Sequence, residues 1–281
     1  MINQLGSLFF CLVMASESNE SEAAAIEELL ESTRNACSEI LAGEEGEKVS
    51  ELLLSQASGK RYLVARQSKM PAAIDMLKNS VEWYVKERPH FLSPTEMRSQ
   101  ISHGHMYSRG FDRLGHPCVM LRVHTERDPH TNEQKLNFMI YSMLKAIAMM
   151  GPECDGKMVW LVSCTGYNLK HNGDVGFARS LNAVLANHFP ERLFRVYLFD
   201  VPFMFRMMWK CISPFLDETT KQKFVFVSNG CERETMVQDF ELGEIERIFG
   251  GESDYTFNAE TYVEEDLQIW NTTMNPDRNR V

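Results

Sequence analysis

The sequence predicts an α/β fold with a mixed, mainly parallel sheet, preceded by an all-helical region. Three observations carry this prediction. Apolar residues recur at helical spacing through the first hundred residues. After residue 110, short runs rich in β-branched and aromatic residues appear, each of strand length. Helical stretches separate these runs, and strands that alternate with helices favour a parallel sheet.

Three helices are predicted in the N-terminal region. The first covers residues 20–42, and the second covers residues 48–67 with Gly59 as a candidate break. The third begins at Pro71, because proline fits the first turn of a helix, and ends before Pro89.

Four strands and three further helices are predicted beyond this region. The strand-like runs lie at 118–123, 158–163, 193–199 and 223–228. The predicted helices cover about 131–150, 172–188 and 203–213. The resulting organisation is a helical subdomain over 20–100, an α/β domain over 101–251 and an acidic C-terminal tail over 252–281.

Residues 1–19 are expected to be a disordered extension or the product of an upstream start. The apolar run from Leu5 to Met14 is too short to span a bilayer. It resembles the core of a signal peptide, but no Lys or Arg precedes it. Secretion is therefore the less favoured alternative, and a cytoplasmic location with transient peripheral membrane contact is expected.

Charge and cysteine content narrow the function classes. The net charge is −10, yet residues 52–231 are net basic and both ends are strongly acidic. An acidic chain argues against general nucleic-acid binding, whereas a basic middle suits an anionic ligand or an anionic membrane. The seven cysteines are odd in number and form no Cys-x-x-Cys pair. A disulfide scaffold is therefore not expected, and a reducing compartment is.

Motifs for catalysis or metal binding are largely missing from the sequence. It contains no nucleophile elbow, Walker A loop, His-Glu-x-x-His helix or dinucleotide fingerprint. His103, His105 and His116 have weak spacing for a metal site. Cys164 follows a predicted strand, but no base for a nucleophile is identifiable. We therefore predict no catalytic residue, no metal and no cofactor, with a Cys164 hydrolase as the remaining enzyme alternative.

The predicted helix over 203–213 is unusually apolar around its circumference. Only Arg206, Lys210 and Ser213 are polar, and they form one narrow stripe. Taken alone, this pattern favours a wholly buried helix over a helix that closes an apolar cavity. The apolar positions are Phe203, Met204, Phe205, Met207, Met208, Trp209 and Ile212.

The same region resembles the CRAL-TRIO lipid-binding family, and most closely its phosphatidylinositol transfer branch. The resemblance lies in the order and spacing of short segments between residues 188 and 251. Weaker similarity lies upstream, in the Tyr62–Arg66 segment and the Asp112–Pro117 turn. The main segments are His188–Leu193, Val201–Phe203, Pro214–Asp217, Thr220, Lys223 and Phe249–Gly251.

The resemblance implies a sheet that floors an apolar lipid pocket, with the 203–213 helix as its mobile lid. It also implies a set of residues that bind the inositol lipid headgroup: Arg66, Glu191, Arg192, Thr220 and Lys223. The chemistry is coherent, because cationic side chains neutralise a phosphodiester and a carboxylate accepts hydrogen bonds from inositol hydroxyls. Any one of these residues alone is better read as an ordinary turn or surface residue.

The sequence departs from the family at several positions. Gln67 replaces a lysine that follows the motif arginine, so one phosphate contact is in doubt. Met158 and Trp160 stand where the family binds phosphatidylcholine with hydroxyl side chains, and Ser108 and Val119 stand at its tyrosine positions. A choline lipid is therefore a doubtful second ligand. Val119, Met158 and Trp160 are instead expected to line a pocket for a bulkier hydrophobic molecule.

The predicted function is a non-enzymatic, monomeric carrier that takes phosphatidylinositol from membranes and exchanges or presents it. Two alternatives stay open. One is a carrier of a different hydrophobic ligand, such as a sterol, tocopherol or retinoid. The other is a lipid-gated protein-interaction module, in which the acidic ends bind partners.

Overall fold

The computed structural model describes residues 20–123, 129–167, 174–213 and 218–274. The chain forms two compact units. The helical unit comprises Met1–Arg88 and Ala183–Glu191, and the sheet unit comprises Pro89–Asn182 and Arg192–Val281. The expected extension over residues 1–19 lies outside the described residues.

Four helices build most of the helical unit. They are α1 (20–36), α2 (Glu44–Leu53), α3 (Gln56–Ala65) and α4 (Met70–Glu87). Their apolar faces meet in one core, in which Leu29, Val49, Leu77 and Val81 are completely buried. This core is closed, because the side chains at its centre have no exposure to solvent.

The helical segment predicted over 48–67 is interrupted at Leu54 and Ser55, between α2 and α3, and not at Gly59. The Ser55 side chain accepts a hydrogen bond from the amide of Ser58 and thereby caps α3. Gly59 lies inside α3, where a β-carbon would approach Ile26 Cγ2 to 2.7 Å. The prediction of a break at Gly59 is therefore wrong, because this glycine serves close helix packing.

A mixed, mainly parallel sheet of five strands forms the centre of the sheet unit, as predicted. The strands lie side by side in chain order, with β1 antiparallel to β2 and the others parallel. The strands are β1 (Met106–Phe111), β2 (Pro117–Arg122), β3 (Met158–Ser163), β4 (Leu193–Phe199) and β5 (Phe224–Phe226).

Strand β1 was not predicted from the sequence. Ser108, Arg109 and Gly110 interrupt its apolar pattern, and its pairing with β2 is irregular between Ser108 and Phe111. Strand β1 is extended because it pairs with β2, since it has no local run of β-branched residues that would favour a strand.

Seven helices accompany the sheet in the described part of this unit. Helix α6 begins with a capping box between Thr131 and Gln134. Helix α7 belongs to this unit only as far as Asn182. The helices are α5 (Arg98–Ser102), α6 (Asn132–Ala148), α7 (Val175–His188), α8 (Phe203–Ile212), α9 (Glu218–Gln222), α10 (Glu232–Asp239) and α11 (Ala259–Ile269). Single turns lie at Pro89–Phe91, Leu242–Glu244, Arg247–Phe249 and Trp270–Met274.

The segment expected to be an acidic tail contains helix α11. Asn258 caps this helix by accepting a hydrogen bond from the Thr261 amide at 3.0 Å. Tyr262, Val263 and Asp266 are buried against the rest of the unit. Among the described residues, no helix has both the length and the apolar character that crossing a bilayer demands.

Candidate functional site

Two rows of apolar side chains cover one face of the sheet. Side chains alternate between the faces of a strand, so residues that share a register position in parallel strands share a face. The first row is Val119, Trp160, Val196 and Phe224. The second row is Leu121, Val162, Leu198 and Phe226. We call these eight residues the apolar face.

The apolar face is only partly buried. Trp160, Leu121, Phe224 and Phe226 retain partial exposure and pack against the more buried valines and leucines of the same cluster. Apolar surface left in contact with water is unfavourable at about 25 cal/mol per Å². Covering this face with an apolar molecule is therefore favourable.

Helix α8 packs against the apolar face through two aromatic side chains. Phe205 packs against the cluster that contains Val162, Val196 and Leu198. Its ring centroid also lies 5.8 Å from that of Tyr167. Trp209 meets Phe224 at 4.6 Å and Phe226 at 5.4 Å. Because residues four apart lie on the same side of a helix, Phe205 and Trp209 form one packed side of α8.

Another side of α8 is apolar and exposed. Phe203 is 73% exposed, Met204 57% and Met207 45%. The wholly buried helix that the residue pattern favours on its own is therefore wrong. The side chains of Met208 and Ile212 lie outside the described residues. Arg206 and Lys210 are exposed on the same helix, so the exposed apolar side chains are accompanied by cations.

The three residues expected to line a pocket differ in their surroundings. Val119 and Trp160 are neighbours in the first row of the apolar face. Val119 is completely buried and Trp160 is partly exposed. Met158 begins β3, is completely buried, and donates its backbone amide to the carbonyl oxygen of Arg192 at 2.9 Å.

The five expected headgroup residues fall in both units. Arg66, which caps the C-terminus of α3, and Glu191, whose φ of 55° is left-handed, belong to the helical unit. Arg192, Thr220 and Lys223 belong to the sheet unit. Their grouping around one ligand stays a prediction.

Arg192 and Lys223 lie at the same edge of the sheet. Arg192 immediately precedes β4 and Lys223 immediately precedes β5, and these two strands are parallel. The Lys223 amide donates to the Thr220 carbonyl oxygen at 3.1 Å, which holds the two residues in one turn. Arg192 Nη1 donates to the carbonyl oxygen of Gly156 at 2.8 Å, so its guanidinium also anchors the loop before β3.

One of the histidines considered for a metal site, His116, is held by two carboxylates. His116 is buried between two carboxylates, with Nδ1 2.7 Å from Asp112 and Nε2 3.1 Å from Asp155. Across the described ranges, no group of three or more His, Cys, Asp or Glu side chains is arranged to hold a metal ion.

Cys164 is poorly suited to act as a nucleophile. Its side chain is buried in the cluster that includes Val162 and Leu198. Burial, aided by the charge of Asp200, raises the pKa of the Cys164 thiol to about 11. The reactive form is the thiolate, and at neutral pH this environment disfavours it.

The sequence does not identify most of the apolar face as part of a site. The sequence predicts strands over six residues of this face but gives none of them a role in a pocket: Leu121, Val162, Val196, Leu198, Phe224 and Phe226. Their signal was present in the alternation along each strand, which assigns every second residue to one face. What the sequence did not provide was the relative register of strands separated by long connections.

The family model described as "CRAL/TRIO domain" matches residues 101–251. Patellin-4 from Arabidopsis thaliana is 27% identical over 219 residues, covering 73% of this chain and 40% of that protein. Phosphatidylinositol transfer protein PDR17 from Saccharomyces cerevisiae is 23% identical over 223 residues, covering 74% of this chain and 61% of that protein.

A crystal structure of Sfh5 has the same fold. It superposes with a TM-score of 0.68 at 16% identity, covering 93% of this chain and 98% of that chain. The chain spans less than two thirds of the length of Patellin-4 and of PDR17. The family match covers more than half of the chain and includes all five strands completely. The chain therefore belongs to the CRAL/TRIO domain family.

Proposed function

We propose that this chain is a lipid carrier that holds phosphatidylinositol, or a closely related inositol lipid, on the apolar face beneath α8. The observation that carries the proposal is the partly exposed apolar face in a CRAL/TRIO domain, with cationic residues at the amino edge of its strands. The similarity to PDR17, a phosphatidylinositol transfer protein, supports the choice of lipid.

Selectivity in this proposal resides in the headgroup residues. Each buried methylene gains about 0.8 kcal/mol relative to water, but a bilayer solvates the acyl chains equally well. The apolar contribution therefore nearly cancels when a lipid moves between membrane and protein. Lys223, Arg66 and Arg192 are proposed to contact the phosphodiester, because charge-assisted hydrogen bonds are the stronger kind. Thr220 is proposed to donate to an ester or phosphate oxygen, and Glu191 to accept from inositol hydroxyls.

The exposed side of α8 is proposed to contact the membrane during exchange. Phe203, Met204 and Met207 can enter the interface between headgroups and acyl chains, while Arg206 and Lys210 favour anionic lipids. Transfer is therefore expected to rise with the anionic lipid content of the vesicles and to fall as salt screens the charges. Transfer that responds to neither variable would contradict this part of the proposal.

The identity of the lipid is tested by mass spectrometry of extracts from protein purified under native conditions, followed by transfer assays between vesicles. An inositol phospholipid in the extract is the expected result. A sterol, tocopherol or retinoid would instead support the alternative carrier, and an extract without lipid would support the interaction module.

Lys223→Ala is expected to lower phosphatidylinositol transfer at least tenfold, because a charged hydrogen bond contributes about 1.5–3 kcal/mol. Lys221→Ala is the matched control. Lys221 lies two residues away and is paired with Glu218 at 2.6 Å, and its loss should leave transfer unchanged. Equal effects of the two substitutions would remove Lys223 from the proposed site.

A further inference from the structure

Trp209 joins α8 to both rows of the apolar face. Its ring contacts Phe224, which belongs to the first row, and Phe226, which belongs to the second. Both phenylalanines lie on β5, the last strand in the order of the sheet. One side chain of α8 therefore contacts both rows of the apolar face at this edge of the sheet.

Phe203, the first residue of α8, has no comparable burial. Phe203 is 73% exposed, whereas Trp209 is half-buried against two rings. The helix thus presents apolar side chains both to the sheet and to solvent. In water, the side of α8 that packs on the sheet determines how long the helix stays closed, because the solvent-exposed side makes no contact that stabilises the closed position.

We propose that Trp209 is a positioning residue that holds α8 closed over the apolar face and sets the rate at which bound lipid is released. The proposal rests on the proposed function, since it requires a lipid beneath α8. Aromatic pairs contribute stabilisation beyond the area that they bury. Loss of both pairs is therefore expected to speed opening about tenfold to hundredfold.

The test compares Trp209→Leu with Phe203→Leu, the same type of change on the same helix. Protein is loaded with fluorescent phosphatidylinositol, and release is measured at increasing concentrations of vesicles that contain phosphatidylcholine and an anionic lipid. The release rate extrapolated to zero vesicle concentration reports opening in water. The slope of the release rate against vesicle concentration reports opening at the membrane. Trp209→Leu should raise the extrapolated rate about tenfold or more. Phe203→Leu should leave that rate unchanged and lower the slope.

An unchanged extrapolated rate in Trp209→Leu, or an equal rise in both variants, would overturn the assignment. Circular dichroism and urea unfolding establish whether the variants are folded. If Trp209→Leu is not folded, Trp209→Phe, which keeps an aromatic ring at this position, is used for the test instead. Its release should be slower than that of Trp209→Leu and faster than that of the unmodified protein.

Hydrogen exchange of the α8 amides in lipid-free protein separates this proposal from the proposed function. Exchange should be faster in Trp209→Leu and unaltered in Phe203→Leu. If the unmodified protein binds no inositol lipid, the proposed function fails. If it binds lipid and the α8 amides of the two variants exchange alike, only the role of Trp209 fails.

Discussion

The helical unit and the sheet unit bury their apolar side chains to different extents. In the helical unit, Leu29, Val49, Ala73, Leu77 and Val81 form a core with no exposure at all. On the apolar face of the sheet unit, rings and aliphatic side chains of similar size remain partly exposed. A core of the first kind is complete when the chain folds. A face of the second kind remains available to an apolar molecule, which makes it the better candidate for ligand binding.

The comparison does not extend to the whole sheet unit. Lys145 of α6 and Asp266 of α11 form a buried ion pair at 3.2 Å, and Lys145 Nζ lies 3.4 Å from the centroid of the Tyr262 ring. Burial lowers the pKa of Lys145 and raises that of Asp266, because it disfavours both charges. Their mutual attraction opposes both shifts. On this side of the unit, both charged side chains of the pair are buried.

The largest expected effect comes from breaking this pair. Lys145→Met should lower the free energy of unfolding by about 3–5 kcal/mol, because it leaves the Asp266 carboxylate buried without its cation. Asp266 Oδ2 already has no hydrogen-bond partner among the residues that the structure describes. Urea unfolding provides the measurement.

The double variant Lys145→Met/Asp266→Leu is the control for this prediction. Replacement of a buried pair by apolar residues is often neutral or stabilising, so most of the lost stability should return. A double variant as unstable as the single one would show that packing matters here, and not the uncompensated charge.

A matched pair of leucine substitutions tests the comparison directly. Leu77 is completely buried in the helical core, whereas Leu121 is partly exposed on the apolar face. Leu77→Ala should cost about 2–5 kcal/mol of unfolding free energy. Leu121→Ala should cost less than about 1.5 kcal/mol without lipid, because less surface leaves water on folding. Equal costs in lipid-free protein would contradict the distinction between a closed core and an open face.

The smallest expected effect is a loss of stability in acid that is confined to the helical unit. His188 stacks on Trp83 at 4.3 Å, and its Nδ1 lies 3.0 Å from Ser80 Oγ. Burial lowers the pKa of His188 to about 4, whereas an unfolded histidine titrates near 6.5. The folded state therefore binds fewer protons between these values. Stability should be full above about pH 6.5 and should fall as the pH drops towards 4.

The magnitude of this loss is about 1–2 kcal/mol after allowance for solvent screening, because His188 is only half-buried. Hydrogen exchange of the α4 amides between pH 4 and 7 measures it. His188→Gln removes the titration and should abolish this part of the pH dependence. An unaltered profile in that variant would assign the acid sensitivity to other groups.

Local patterns were sufficient to predict much of the fold. Four of the five strands and the mainly parallel sheet followed from apolar runs and the helices between them. The family resemblance followed from the segments around Glu191 and Lys223, and the match over residues 101–251 confirms it. Strand β1 and helix α11 did not follow, because Ser108 and Gly110 interrupt one pattern and scattered acidic residues obscure the other.

The candidate site depended more on tertiary structure. The sequence by itself determined the residue types at each strand position, the apolar character of α8 and the cations that precede β4 and β5, since these are properties of short segments. Only the tertiary structure decided that Trp160 and Phe224 share a row, that Trp209 faces the sheet and that Phe203 faces solvent. Register between distant strands and the burial of one side of a helix depend on contacts across long stretches of chain, and local periodicity does not encode them.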